Sequence, residues 1–145
     1  MQIKIEVNGI DEINKKLNRL KAKGSNMLPL FKVIGNSLKN TTENTFEHQA
    51  DAFGNAWKPS KKKSGLTLIQ SGSLSQSFVP FATKESVTLG TNLVYAPIHQ
   101  FGGRAGRGKK SIIPARPFLP IDKDFNLPHN LQEEILDKVQ DYFEN

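Results

Sequence analysis

The sequence predicts an α+β domain: a small, mostly antiparallel sheet packed by a long N-terminal helix and a C-terminal helix, with long mobile basic loops. Three observations carry that expectation. Ile3, Ile5 and Val7 alternate with polar residues, the period-two pattern of a half-buried strand. Apolar residues recur three or four apart over two long stretches, one in each half of the chain. Between those stretches, two candidate strands, 78–82 and 86–90, flank a three-residue connection, and the second alternates around Val87 and Leu89. At 145 residues the chain has the length of one domain, 1–145, large enough to bury a core without staples.

The elements follow in order. Asn8-Gly9 ends the first strand with a turn, and Asp11 then caps a short helix whose apolar positions are Ile13, Leu17 and Leu20. Gly24-Ser25 stops it. A longer helix starts near Ser25 and carries Leu28, Phe31, Ile34, Leu38, Thr42 and Phe46 on one stripe, with Pro29 tolerated in the first turn. Residues 51–64 change to Gly, Asn, Pro, Ser and Lys around a single Trp57, which predicts a mobile loop. A short helix or turn spans 66–74. The two strands come next, with Thr83-Lys84-Glu85 as their hairpin and Val87 and Leu89 on the inward face. One helical turn at 95–101 precedes Gly102 to Lys110, where four glycines and four cations in nine residues predict no fixed structure in isolation. Ile112 and Ile113 resume extended chain, and Pro114, Pro117, Pro120 and Pro128 punctuate the approach to a last helix from about Leu127, with Leu131, Ile135, Val139 and Phe143 four apart.

Composition narrows the function. The net charge is +6 with a pI near 9.6, and a mean hydropathy of −0.47 is that of an ordinary soluble protein. No apolar run approaches a membrane span, and the first residues lack a signal-peptide core, so the expectation is a protein of the cytoplasm or assembled from it. The absence of cysteine removes disulfide scaffolds, thiolate zinc sites and cysteine nucleophiles together. The charge is unevenly distributed: +2 over 1–53, +9 over 54–116 and −5 over 117–145. A basic middle and an acidic end suggest a polyanionic partner or head-to-tail pairing between copies.

No convergent chemistry emerges, and no catalytic residue, metal or cofactor is expected. His48, His99 and His129 have no metal-ligand spacing, and although Glu47, His48 and Asp51 are near one another in sequence, adjacent positions such as Glu47 and His48 point in different directions on a helix. Ser71-Gly72-Ser73 lacks the glycine pattern of a nucleophile turn. Gly103, Gly106 and Gly108 are followed by extended chain rather than a helix, so no phosphate cradle forms. What remains is a basic loop carrying Arg104, Arg107, Lys109 and Lys110, able to contact phosphates, to order against an acidic neighbour, or simply to be solvated. Lys58, Lys61, Lys62 and Lys63 form a second basic cluster. Trp57 beside them either stacks on a base or, as lone tryptophans beside loops more often do, anchors the loop on the core. Arg116, between Pro114-Ala115 and Pro117-Phe118, would project with Phe118 from a stiff strip that serves as an edge contact or a connector.

Three ordered strings carry a resemblance. They are Leu68 to Ser77 around Ser71-Gly72-Ser73; Leu89-Gly90-Thr91-Asn92 leading to Tyr95-Ala96-Pro97-Ile98-His99-Gln100-Phe101-Gly102-Gly103; and Ile113-Pro114-Ala115-Arg116-Pro117-Phe118-Leu119. With Gly54-Asn55-Ala56-Trp57 before them, they resemble the phage virion morphogenesis family, the tail-completion group of Mu-like phages and prophages, over nearly the whole chain. Two departures stand out: Ala52-Phe53 where the family often has Asp-Pro, and Pro120 where it often has Gly.

The resemblance implies a structural protein of tail completion or head–tail joining, forming a ring at the head-proximal end of the tail, a hexamer by analogy. The implied partners are other copies of the chain, the tail tube and head-completion proteins. The implied locations are the host cytoplasm during assembly and then the virion tail or neck. A ring needs two different patches that meet between neighbouring copies, which the basic middle and acidic end could supply. Alternatively the loop from Arg104 to Lys110 faces DNA in the lumen, or the protein is a non-specific DNA binder using its basic loops.

Overall fold

The structure, a computed structural model, describes residues 2–6, 11–59 and 73–144. Among the described residues, five strands and four α-helices follow one another as β1 (Gln2–Glu6), α1 (Asp11–Ala22), α2 (Leu28–His48), β2 (Val79–Ala82), β3 (Ser86–Gly90), α3 (Ala96–Phe101), β4 (Gly103–Ala105), β5 (Ser111–Ile113) and α4 (His129–Glu144). This is the expected α+β arrangement. Strands β1, β3 and β2 form an antiparallel sheet in that order, and β4 and β5 form a separate two-stranded ribbon. The register sets Ile3 opposite Leu89 and Ile5 opposite Val87, the two fully buried residues of β3.

Helix α2 is the spine. Its stripe is wider than the sequence spacing suggests, because Leu30, Gly35 and Ser37 join Phe31, Ile34, Leu38, Thr42 and Phe46 in the interior. The helix begins at Leu28 rather than near Ser25, since the Asn26 side chain accepts from the Leu28 N–H at 3.3 Å and Pro29 sits in the first turn. One face of α2 lies on the sheet, where Gly35 allows close approach: a Cβ there would stand 2.9 Å from both Pro80 Cβ and Val87 Cγ2. The other side meets α4, which also packs on α1. Leu131, Ile135 and Val139 of α4 and Ile13, Leu17 and Leu20 of α1 are all buried, as their spacing predicts. Asp11 is the first residue of α1, and the helix ends in paired bonds from Gly24 N–H to Lys21 O and Ser25 N–H to Leu20 O.

Three expectations are corrected. Residues 51–59 are not a free loop: Asp51 N–H bonds Asn55 O at 2.8 Å, Trp57 N–H bonds Gln49 O at 2.8 Å, and Ala50 bridges Ala56. The glycine-rich segment is an ordered ribbon, with Gly103 opposite Ile113, Arg104 opposite Ile112 and Ala105 opposite Ser111. Its glycines terminate rather than dissolve structure, because Gly106 and Gly108 take φ values of 84° and 71° and turn the chain between the strands. Arg116 and Phe118 do not project, since both are buried. Prolines hold that strip extended, and extended chain can line a core as readily as an edge. Lys61, Lys62, Lys63 and Gly72, with most of the predicted turn at 66–74, lie outside the described residues.

Candidate functional site

Two of the motif strings, 95–103 and 113–119, meet the Trp57 loop at one place. Phe46 of α2, Trp57, Phe78 and Phe118 stack edge-on or tilted, with centroids 5.3 Å apart for Phe46 and Trp57, 5.5 Å for Phe46 and Phe118 and 5.1 Å for Phe78 and Phe118. Hydrogen bonds lock the chain around this cluster. The Trp57 indole N–H donates to Pro117 O at 2.9 Å, so the tryptophan is the loop's anchor. Gln100 is buried, and its Oε1 accepts from both Phe118 N–H and Leu119 N–H at 2.9 Å. Arg116 N–H donates to His99 O at 2.8 Å, while the guanidinium donates through Nε to Lys58 O at 2.8 Å and through Nη2 to Pro59 O at 3.4 Å. Gly102, at φ 74°, lies so close to the 113–115 backbone that a Cβ would meet Ala115 N at 2.9 Å and Ile113 O at 3.0 Å.

Trp57, Gln100, Gly102, Arg116, Pro117 and Phe118 thus form a brace that ties three distant stretches of backbone together. Every polar contact named here ends on a main-chain group, which is the work of holding a shape. Tyr95 is partly exposed and meets the His99 ring edge-on at 6.1 Å. Burial holds the His99 pKa below its ordinary value, and the nearby Arg116 charge lowers it further. Its buried Nδ1 has no hydrogen-bond partner among the described residues. Gly103 and Pro114 carry the chain from this brace into and out of the ribbon. Among the described residues, no group of three His, Asp or Glu side chains is placed to hold a metal ion.

The β4–β5 ribbon leaves the brace as an arm. Its inner face rests on α3, where Gly103 comes within reach of Ile98, and its outer face carries Arg104 opposite Ile112. Arg104, Arg107, Lys109 and Lys110 are exposed and make no ion pair with any described residue. Ile112 is 72% exposed. The acidic counterpart is equally open: Glu133, Asp137, Asp141 and Glu144 line the exposed side of α4.

Beside the arm's root lies a groove of about 530 Å³, walled by Phe53, Phe101 and Phe125. Sequence reasoning missed it. Two turns of the same design form its walls: Asp51 Oδ1 accepts from Phe53 N–H and Asn55 N–H, and Asp122 Oδ1 accepts from Asp124 N–H and Asn126 N–H, all at 2.8–2.9 Å. The signal for it is an Asp-x-x-x-Asn spacing that occurs at 51–55 and again at 122–126. Those backbone donors, with that of Asn126 foremost, hold the Asp122 carboxyl below its ordinary pKa.

Fold and brace together describe a protein built to hold a shape, and residues 9–144 match the phage virion morphogenesis family, to which the chain belongs. It is 37% identical over 142 residues to the Mu-like prophage FluMu G protein 2 of Haemophilus influenzae, covering 98% of this chain and 96% of that one. It is 27% identical over 122 residues to the putative capsid assembly protein G of Escherichia phage Mu, covering 75% and 74%. No solved structure matches the chain significantly.

Proposed function

We propose that this protein is a structural, non-enzymatic component of phage tail completion or head–tail joining that assembles as a homo-oligomeric ring at the head-proximal end of the tail. One observation carries the reading: the family strings at 95–103 and 113–119 are spent on backbone bracing, while a cationic arm and an acidic helix stand exposed on the same molecule. A surface of two complementary patches suits a heterologous contact, which closes into a ring when the rotation between copies closes. The relatives' names, a Mu-like prophage G protein and a capsid assembly protein, support a place in virion assembly. The tail tube and head-completion proteins are the partners, met in the host cytoplasm and kept in the virion. The edge strand β2, with Val79 and Phe81 turned to solvent, offers them a further apolar surface.

Electron microscopy of the purified protein, alone and mixed with tail tubes, tests the reading: rings, seated at one end of the tube, are expected. Reversing the charge of Arg104, Arg107, Lys109 and Lys110 should leave the monomer folded and abolish both rings and infectivity. Intact assembly in that variant would remove the arm from the mechanism. The second reading, non-specific DNA binding, draws on the same four exposed cations. It predicts salt-dependent retention of DNA by the monomer, whereas the ring reading predicts concentration-dependent assembly without DNA.

A further inference from the structure

We infer that the arm of one copy seats in the phenylalanine groove of the next, with Ile112 inserted between Phe53 and Phe125 and the arm's cations facing the carboxylates of the Asp122 turn. The inference rests on the ring reading and specifies its contact. The arm supplies the first argument. A two-stranded ribbon is marginal in water, and this one has an exposed outer face that no described residue covers. Ile112 and Arg104 stand opposite one another there, so whatever covers the face must be apolar at its centre and acidic at its rim.

The groove has that composition. Phe101 is 65% exposed and Phe125 75% exposed, Asp51 and Asp122 line the groove beside them with Lys123 as its one lining cation, and Asp124 is exposed in the same turn as Asp122. Phe125 supplies the second argument. It sits at φ 64°, at the position that Gly54 occupies with φ 90° in the twin turn, so a bulky side chain adopts a backbone region that favours glycine. A phenylalanine that is strained and exposed contributes nothing to the monomer, and it becomes useful when a partner's apolar side chain covers it. The third argument is adjacency. Phe101 is both a wall of the groove and the residue before Gly102-Gly103 at the arm's root, so each copy offers arm and groove side by side, and occupying one leaves the other free for the next copy.

The cysteine-free sequence makes the test clean. Ile112→Cys and Phe125→Cys, mixed under oxidation, should give a disulfide-linked dimer that neither gives alone, and the double variant should give a ladder. Rings that form without the mixed cross-link overturn the docking and leave the ring reading standing. A double variant that stops at a linked dimer keeps the docking and overturns the ring. Failure to self-associate at any concentration, with or without tail tubes, overturns both. Phe125→Gly separates the contact from simple misfolding: the monomer's thermal midpoint should hold or rise, while association weakens by about thirtyfold, the loss of an interface anchor. Unchanged association overturns the inference whatever the midpoint does.

Discussion

Replacing Gln100 with methionine keeps the side chain's length and volume but removes the acceptor that serves both Phe118 N–H and Leu119 N–H. Both amides lie on buried residues, so no water replaces the lost oxygen. An orphaned buried donor costs about 1–3 kcal/mol. Two of them, with some relaxation of the strip, come to about 3 kcal/mol. For a chain of 145 residues, unfolding entropy scales to about 0.3 kcal/mol/K, so the thermal midpoint should fall by about 10 °C. Trp57 is the single tryptophan and is buried beside this strip, so its fluorescence reports the transition directly. Gln100→Glu keeps an acceptor for both amides and should lose less than Gln100→Met. A Gln100→Met midpoint within 2 °C of the parent, or a larger loss for Gln100→Glu, would refute the account of Gln100 as a double backbone clamp.

Other variants probe the same architecture. Gly102→Ala forces a Cβ into the 113–115 backbone at a φ that disfavours it, and should cost more than about 3 kcal/mol in denaturant unfolding, with loss of the Trp57 burial signal. Gly35→Ala gains helix propensity of about 1 kcal/mol but drives a methyl into Pro80 and Val87, so a net loss of about 1–2 kcal/mol is expected; a gain would show that the sheet can retreat from α2. His99 binds its proton less readily folded than unfolded, so the unfolded chain takes up more protons below the ordinary histidine pKa of about 6.5. Stability should therefore be full above that pH and decline as pH falls through the window beneath it. His99→Gln should flatten that part of the melting-temperature profile, and a parent profile already flat there would count against burial as the cause.

The division between what could be read from residues and what could not has a physical basis. α1, α2 and α4 were legible because each buries a stripe at helical spacing, and periodicity is a local property. Strands β2 and β3 were legible because a three-residue connection sets their pairing. The Gly102–Lys110 ribbon was not, because its order depends on four positive-φ glycines and on packing against α3, neither of which composition reveals. Arg116 was misplaced for a related reason. Flanking prolines fix its backbone as extended but say nothing about which side faces the core, and that is decided by the Lys58 and Pro59 carbonyls more than fifty residues away. The strings that mark the family were visible, while the fact that those at 95–103 and 113–119 clamp one another was not.

That clamping bears on how an assembly protein can change its partners without losing its fold. The brace acts through main-chain carbonyls and amides, which every sequence possesses, and it needs specific side chains only at Trp57, Gln100 and Arg116 and a bare backbone at Gly102. The arm and the acidic face of α4 lie outside it, as do the three phenylalanines of the groove that Gln100 and Pro117 also line, and their exposed side chains make few demands on the core. Substitutions on those surfaces should accordingly alter assembly while moving the melting temperature little, and substitutions in the brace should do the reverse. Charge reversal of the arm and Gln100→Met form the matched pair. If the arm variant melted as early as the clamp variant, the ribbon would belong to the folding unit, and the separation of bracing from recognition would fail.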